Sequence, residues 1–398
     1  MGDILFMSNG NGEDAIACRL IDSMRVEAPD LTIHAWPMVG QGAAYAQRSV
    51  PLVGALNELP SAGFATLSGK MMIDDLRAGW ISTHWRQYRA ARALRDGYTM
   101  AVAVGDIIPI LAGILSRLPF AFVGCAKSAY YRGSFYRYTA LEKFLLKRWC
   151  KLVFPRDTLT ERELRAAGVE ARYLGNPMMD GLTGIGDRLG TSPDDIVVAM
   201  LAGTRGDAET NLLDLIAMIG DMPRHHATPR RLRFIFAARR ELDVAETVAR
   251  IAADQRLVQW RAADIAPASE GVVLRLNGPE NMQVLVAKDR FADILHLSAA
   301  AIGMAGTANE QAVGLGVPLV AVPSRGVQGE RFVRMKAEYF GEAAVTVARE
   351  AQAVSAALGG LLADSGQRAR MAAAGRERMG EAGASRAIAA ELLKMLGR

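Results

Sequence analysis

Residues 303–323 read Gly303-Met-Ala-Gly306-Thr307-Ala-Asn309-Glu310-Gln311-Ala-Val-Gly-Leu-Gly-Val-Pro-Leu-Val-Ala-Val-Pro323. Glycines just ahead of a helix let the backbone approach a ligand and aim free N–H groups at an anion. Glu310 and Gln311, one turn into that helix, add an acid and an amide that suit a sugar's vicinal hydroxyls. Upstream, Val197-Val-Ala-Met-Leu-Ala-Gly203-Thr204-Arg205-Gly206-Asp207-Ala-Glu209 ends an apolar run in a turn and opens a second helix. Gly203 permits a tight turn, Thr204 offers a hydroxyl, and Arg205 offers a rigid fork for phosphate oxygens. With a helix N-terminus behind them, these groups suit a diphosphate.

The elements that hold such turns follow from length and pattern. At 398 residues the chain exceeds one ordinary core, so two domains are expected. Hydrophobic content of 51% with 22% charged residues describes a globular protein. Cys18, Cys125 and Cys150 are scattered and odd in number, which favours a reducing cytoplasm over a disulfide framework. The five histidines form no metal-ligand pattern, and His225-His226, between Pro223 and Pro229, reads as a solvated loop. The first apolar run contains Asp3 and follows no basic leader, so it reads as a strand and not a signal peptide. Residues 100–125 are broken by Asp106, Pro109, Arg117 and Pro119, and read as strand, helix, strand instead of a membrane span.

Short apolar runs alternate with helical patterns throughout, the mark of parallel α/β architecture. Strands are expected at 3–7, 31–37, 100–104, 121–124, 152–154 and 171–174 in the first half. In the second half they are expected at 195–201, 233–237, 272–275, 294–297, 301–303 and 319–322. Residues 175–190 between the halves are dense in glycine, a linker composition. From about residue 363 the pattern is basic, alanine-rich and helical. The fold class expected is α/β, with two Rossmann-like domains facing a cleft.

Several segments together resemble one family, the lipid-A-disaccharide synthases, which are GT-B glycosyltransferases. Gly203-Thr-Arg-Gly-Asp is similar to that family's Pro-Gly-Ser-Arg-x-x-Glu, and Gly306-Thr-Ala-Asn-Glu-Gln to its Gly-Thr-Ala-Thr-Leu-Glu. Tyr173-Leu-Gly-Asn-Pro-Met-Met-Asp180 resembles its Tyr-Val-Gly-His-Pro-Leu-Val-Asp linker, and Ala103-Val-Gly-Asp106 stands where it has Gly-Ile-Asp. The resemblance covers most of the chain in order. It implies inverting, metal-independent and cofactor-free transfer of a sugar from a UDP donor to a lipid-linked acceptor at the inner face of the cytoplasmic membrane. It also implies residues 1–177 as an acceptor-binding domain, 178–190 as linker, 191–362 as the UDP-sugar domain and 363–398 as a helical tail. The UDP-sugar contacts would be Gly203, Thr204, Arg205, Gly306, Thr307, Asn309, Glu310 and Gln311. In the family the ribose-binding Glu lies seven residues before the helix-ending Pro, which places it at Gln311, with the acid itself one step earlier at Glu310; both stay open.

The departures lie on the acceptor side. The family's aromatic Pro-Gln-Val-Trp-Ala-Trp-Arg is absent, with Cys125-Ala-Lys-Ser-Ala-Tyr-Tyr-Arg132 near its place, and its Gly-Glu-x-Ser-Gly-Asp becomes Asn9-Gly10-Asn11-Gly12-Glu13-Asp14. The latter loop also fits a dinucleotide fingerprint, but no acid ends the next strand, Ile33-His-Ala-Trp-Pro37, as that reading requires. Asn9, Gly10, Asn11 and Gly12 are expected to meet the acceptor's polar or phosphorylated head, with a plain strand-to-helix turn as the alternative. Inverting transfer needs a base for the acceptor hydroxyl. Asp106, directly after an apolar run, leads, with Glu13 and Asp14 as rivals; Asp106 before Ile-Ile-Pro also suits a helix cap.

Two stretches bear on partners. Residues 71–95 hold Trp80, Trp85 and Tyr88 among five arginines, and residues 127–151 mix aromatics with seven basic residues and one acid, Glu142. With a net charge of +5, this suits peripheral contact with anionic lipid headgroups or plain packing of the aromatics, and no nucleic-acid motif accompanies it. Two alternatives to transfer stand: a UDP-N-acetylglucosamine 2-epimerase, and a non-catalytic UDP-sugar-binding subunit.

Overall fold

The computed structural model describes residues 3–54, 92–133, 136–203, 206–220, 222, 231–264, 271–326 and 328–398. They form two compact units, one of residues 1–180 with 380–398 and one of residues 181–379.

The first unit is built on a parallel five-stranded sheet in the order β2-β1-β3-β4-β5. Its strands are β1 (Ile4–Ser8), β2 (Ile33–Pro37), β3 (Met100–Val104), β4 (Phe120–Gly124) and β5 (Cys150–Pro155). β1, β3 and β4 are buried at every residue. Continuous apolar runs of this kind are what a parallel sheet covered on both faces demands. One face carries Phe6, Val102, Val123 and Phe154 against α1 (Asn11–Glu27) and the final helix α13 (Ala384–Met395). The other carries Leu5, Ala103, Phe122 and Val153 against α3 (Ile107–Ser116) and α4 (Ala140–Trp149). The remaining helices of the unit are α2 (Ala43–Ala46) and α5 (Thr158–Ala166).

Side-chain caps set where these helices begin. Asp106 caps α3, Asp157 caps α5, and Thr139 with Glu142 forms a reciprocal capping box on α4. Asp180 accepts from Gly383 N at 2.5 Å and Ser385 N at 2.6 Å, which caps α13 and fastens it beside the end of the first pass of the chain.

The second unit has an eight-stranded sheet in the order β13-β12-β11-β6-β7-β10-β9-β8. Its central strands are β6 (Ile196–Leu201), β7 (Leu232–Ala238), β10 (Gln283–Lys288), β11 (Ala300–Gly303) and β12 (Leu319–Ala321). β8 (Arg261–Ala263), β9 (Val272–Asn277) and β13 (Ala344–Thr346) complete it. β9 runs antiparallel to both neighbours and the other pairings are parallel. Seven helices surround it: α6 (Ala208–Ile219), α7 (Val244–Ala253), α8 (Phe291–Leu297), α9 (Thr307–Gly314), α10 (Glu330–Phe340), α11 (Ala351–Ala363) and α12 (Ser365–Met379), counted among the described residues.

Arginines of α12 serve the ends of the helices before it. Arg368 donates to Leu361 O and Leu362 O at 2.6 and 2.7 Å, and Arg378 donates to Tyr339 O at 2.8 Å. A cation on the free carbonyls of a helix C-terminus is favourable both as hydrogen bond and against the helix dipole.

Two expected strands are corrected. Residues 294–297 belong to helix α8, because Ile294 and Leu295 are buried one turn from Phe291 while Asp293 turns to accept from Gly186 N and Asp187 N. Residues 171–174 make only an isolated bridge, Ala171 with Val153, at the edge of the first sheet.

Candidate functional site

In each sheet the chain leaves the first strand in one direction and later crosses to its other side. The carboxyl ends flanking that reversal open a crevice, where open α/β sheets bind ligands. In the first unit the reversal lies between β1 and β3; in the second it lies between β6 and β11. Those of the expected site residues that are described lie next to these two points.

At the β1/β3 point, Asn9 Nδ2 donates to Asp106 Oδ1 at 2.9 Å and ties the two strand ends together. The Asn9 Oδ1 atom is buried without a hydrogen-bond partner. Asp106 Oδ1 also accepts from Ile108 N at 2.9 Å, so Asp106 is the helix cap the sequence allowed. Between the strand ends the Glu13 side chain crosses Gly105, where a Cβ would stand 3.2 Å from Glu13 Cγ. Gly105 adopts φ +132°, a conformation that favours glycine, and the missing side chain leaves room for the carboxyl arm. Gly10 precedes the first turn of α1 with no side-chain cap on that helix. Asn11 opens α1, and Gly12 is exposed, with nothing within 4 Å of a Cβ placed on it.

The three acids differ in environment. Burial lifts the Glu13 carboxyl from 4.5 to about 7, with its own backbone N–H opposing and the charges of Asp106 and Asp14 adding. Burial also lifts Asp14 from 3.8 to about 6 against the Ser8 hydrogen bond. Asp14 is 1% exposed and accepts from Ser8 Oγ at 2.6 Å; the same hydroxyl meets Tyr45 OH at 2.6 Å. Asp106 is raised as well, by burial first, with the Ile108 N–H and the Lys127 charge opposing. Lys127 is anchored by Glu142 Oε2 at 2.7 Å and Arg137 O at 3.2 Å. Glu13 is thus a partly buried carboxyl poised near neutral pH, while Asp106 and Asp14 hold the loops.

At the β6/β11 point the strand ends are locked in register, Leu201 opposite Gly303, and Met304 N donates to Leu201 O at 2.9 Å. Gly203 takes φ +90°, and Asn211 of α6 holds the turn by donating to Ala202 O at 3.0 Å. Thr204 and Arg205 lie outside the described residues. Gly306 precedes α9 without a side-chain cap, and Thr307 is exposed at its first position. Asn309 is buried against Gly303, where any Cβ would overlap its Oδ1 atom. Glu310 is 3% exposed and ion-paired with Lys336 of α10, whose ammonium lies 5.6 Å from the Phe332 ring centre. Gln311 is also buried.

Gln328, Lys336 and Asn211 join this site without having been singled out from the sequence. Gln328 follows the strand neighbouring β11, two residues after the turn-rich run Pro323-Ser-Arg-Gly326, and that position past a strand end was the available signal. Lys336 and Asn211 arrive on helices with no local cue.

The aromatic-basic stretches divide. Residues 71–91 and His225-His226 lie outside the described residues. In residues 127–151, Tyr131 and Tyr138 are buried, whereas α4 exposes Leu141, Phe144 and Trp149 at 62, 57 and 40%. Phe144 meets Trp149 edge to face at 5.9 Å, and the Arg148 guanidinium lies 5.5 Å over the Trp149 ring. Lys147 and Arg148 are exposed beside them, while Arg137 and Lys143 are taken by Glu163 at 2.6 and 2.5 Å. No helix among the described residues is long and apolar enough to cross a membrane.

No protein-family model and no curated protein sequence matches the chain. Solved structures do. MurG of Acinetobacter baumannii superimposes with a TM-score of 0.60 at 12% identity, over 99% of this chain and 100% of that one. The UDP-GlcNAc 2-epimerase of Neisseria meningitidis, bound to UDP-GlcNAc, gives 0.55 at 11%, over 98% and 100%. The glycosyltransferase SnogD of Streptomyces nogalater gives 0.52 at 14%, over 100% and 99%. At these identities the likeness is one of fold: two parallel-sheet domains of the GT-B type.

Proposed function

We propose that the protein is an inverting glycosyltransferase that moves a sugar, N-acetylglucosamine or an acylated glucosamine, from a UDP donor to a lipid-linked acceptor, in the manner of lipid-A-disaccharide synthase. The observation that carries the reading is the division of labour between the two switch points. One presents glycine turns and a helix start whose Gly306 N–H is met only by the neutral Gln328 amide, a place suited to a diphosphate, and the other presents a carboxyl poised near neutral pH.

In this reading Glu13 takes the proton of the acceptor hydroxyl as its oxygen bonds to the sugar's anomeric carbon. The bond from that carbon to the UDP oxygen breaks, and the diphosphate leaves with the electron pair. Asp106 and Asn9 hold the acceptor loops, with Gly10, Asn11 and Gly12 lining the approach. Arg205, Thr204, Gly203 and the Gly306 and Thr307 amides meet the leaving charge, so the reading calls on no cofactor or metal. Glu310, ion-paired with Lys336, and Gln311, both buried on α9, are the two groups the reading offers for the ribose, with Asn309 shaping the turn beneath them.

The apolar and basic face of α4 supports an acceptor presented at an anionic membrane surface, and so peripheral attachment at the cytoplasmic side. Epimerisation of UDP-N-acetylglucosamine is the second reading, favoured by the likeness to the N. meningitidis epimerase over nearly the whole chain. That reaction has no use for the exposed face of α4. Incubation with labelled UDP-N-acetylglucosamine, with and without lipid extract, tests the proposal. UDP release that requires lipid supports transfer, and a new UDP-sugar without lipid replaces it with epimerisation. Binding without turnover leaves a non-catalytic subunit.

A further inference from the structure

The Gly306 N–H at the β6/β11 switch point is already occupied. The Gln328 amide reaches across it, and in the orientation that satisfies both neighbours its oxygen accepts from Gly306 N at 3.0 Å and its nitrogen donates to Met304 O at 2.5 Å. The same amide lies 3.9 Å from the position of a Cβ on Gly203, so it stands beside both glycine turns. A Cβ on Gly306 would come within 2.9 Å of it, and glycine at this position is what admits the contact.

The backbone beneath Gln328 is held independently of its side chain. Ser324 N donates to Gln328 O at 2.9 Å, and Gly326 N donates to Ser324 Oγ at 3.2 Å. Arg325 Nε is fixed to the buried carboxylate of Asp214 at 2.9 Å. The Gln328 side chain is half-buried, so its end borders solvent.

An amide oxygen on a helix-opening N–H makes the hydrogen bond that a phosphate oxygen would make, more weakly because it carries no charge. We propose that Gln328 is an internal ligand that competes with a nucleoside diphosphate for the Gly306 amide and turns aside when the diphosphate binds. The inference rests on the placement of the donor diphosphate at this switch point. With Gln328 seated, the binding-competent state is only part of the population, and the apparent affinity falls by that fraction. The contact would keep the anion site satisfied until a ligand able to displace it arrives.

Calorimetric titration of the full chain with UDP tests this. Loss of one neutral hydrogen bond from the competing state should make Gln328→Ala bind UDP about two- to tenfold more tightly than wild type. Spectra of protein labelled with 15N-glycine give a second readout: the Gly306 resonance should move in Gln328→Ala, and wild type should lose its original Gly306 position when UDP is added. Equal or weaker UDP binding by Gln328→Ala overturns the proposal, and weaker binding makes Gln328 a donor contact instead. If wild type and variant both fail to bind UDP, the donor reading itself falls and takes this inference with it.

Discussion

Replacing Glu13 by Gln keeps the length and shape of the side chain and removes its ionisation, which separates the energetic burden of this carboxyl from its use. The carboxyl is raised in the folded protein from 4.5 to about 7. A group raised in this way stabilises the fold fully below its unfolded value, and that contribution is lost as pH rises through the folded value. The difference of 2.5, at about 1.4 kcal/mol for each pH unit, sets a ceiling of about 3.5 kcal/mol, or about 2–3 kcal/mol once solvent at the exposed part of the side chain is allowed for. Glu13→Gln should therefore match wild type near pH 4.5 and exceed its stability by about 2–3 kcal/mol at pH 8. For a unit of this size that is about 4–12 °C in Tm, at roughly 2–4 °C per kcal/mol. Melting curves of both proteins at pH 5, 6.5 and 8 should show the gap opening with pH. The same variant should lose about 10²–10⁴-fold in lipid-dependent UDP release. A stability difference that does not vary with pH would refute the buried, uncompensated carboxyl. A more stable variant that keeps wild-type turnover would refute its role as base.

Three other variants probe the surrounding parts. Asp106→Asn keeps a capping oxygen on α3 but removes a charge that raises Glu13, so the acid limb of the turnover profile should move to lower pH with UDP affinity unchanged; an unmoved limb would uncouple the two groups. Gly303→Ala forces a methyl onto Asn309 at the foot of α9, and should lower stability by about 1–3 kcal/mol and weaken UDP binding, checked by melting and calorimetry. Exchange of Phe144 and Trp149 for Ser with Lys147 and Arg148 for Gln should abolish low-salt sedimentation with anionic vesicles and leave UDP binding intact; wild-type protein that ignores such vesicles would remove the membrane from the account.

The alternation of buried strands and helices was written plainly, and β3 (Met100–Val104) lies at the residues its apolar run marks. Residues 294–297 misled because a short apolar run with one acid fits a buried strand as well as a buried helix, and only the partners of Asp293 decide between them. β10 (Gln283–Lys288) and β13 (Ala344–Thr346) were not expected, although Asn277-Gly278-Pro279 precedes the first and Gly341 the second; both runs are short. At the site, Gly306, Glu13 and Asp106 could be found because a turn between strand and helix is a local pattern in the chain. Their ranking rests on contacts that spacing does not show: Asp106 Oδ1 holds Ile108 N and Asn9 while Glu13 crosses Gly105, which is why the base is proposed at Glu13, with the choice between the two still to be tested. Gln328 and the pairing of Lys336 with Glu310 depend on a crossover that places distant residues side by side, which no spacing announces.

The position of UDP in a crystal of its complex with this protein tests the division between the two switch points most directly. The account predicts the diphosphate against the Gly306 and Thr307 amides and the Gly203 turn, with Gln328 displaced from Gly306 and Glu13 free of nucleotide. A diphosphate seated instead on the Asn9-Gly10 loop at the head of α1 would contradict it.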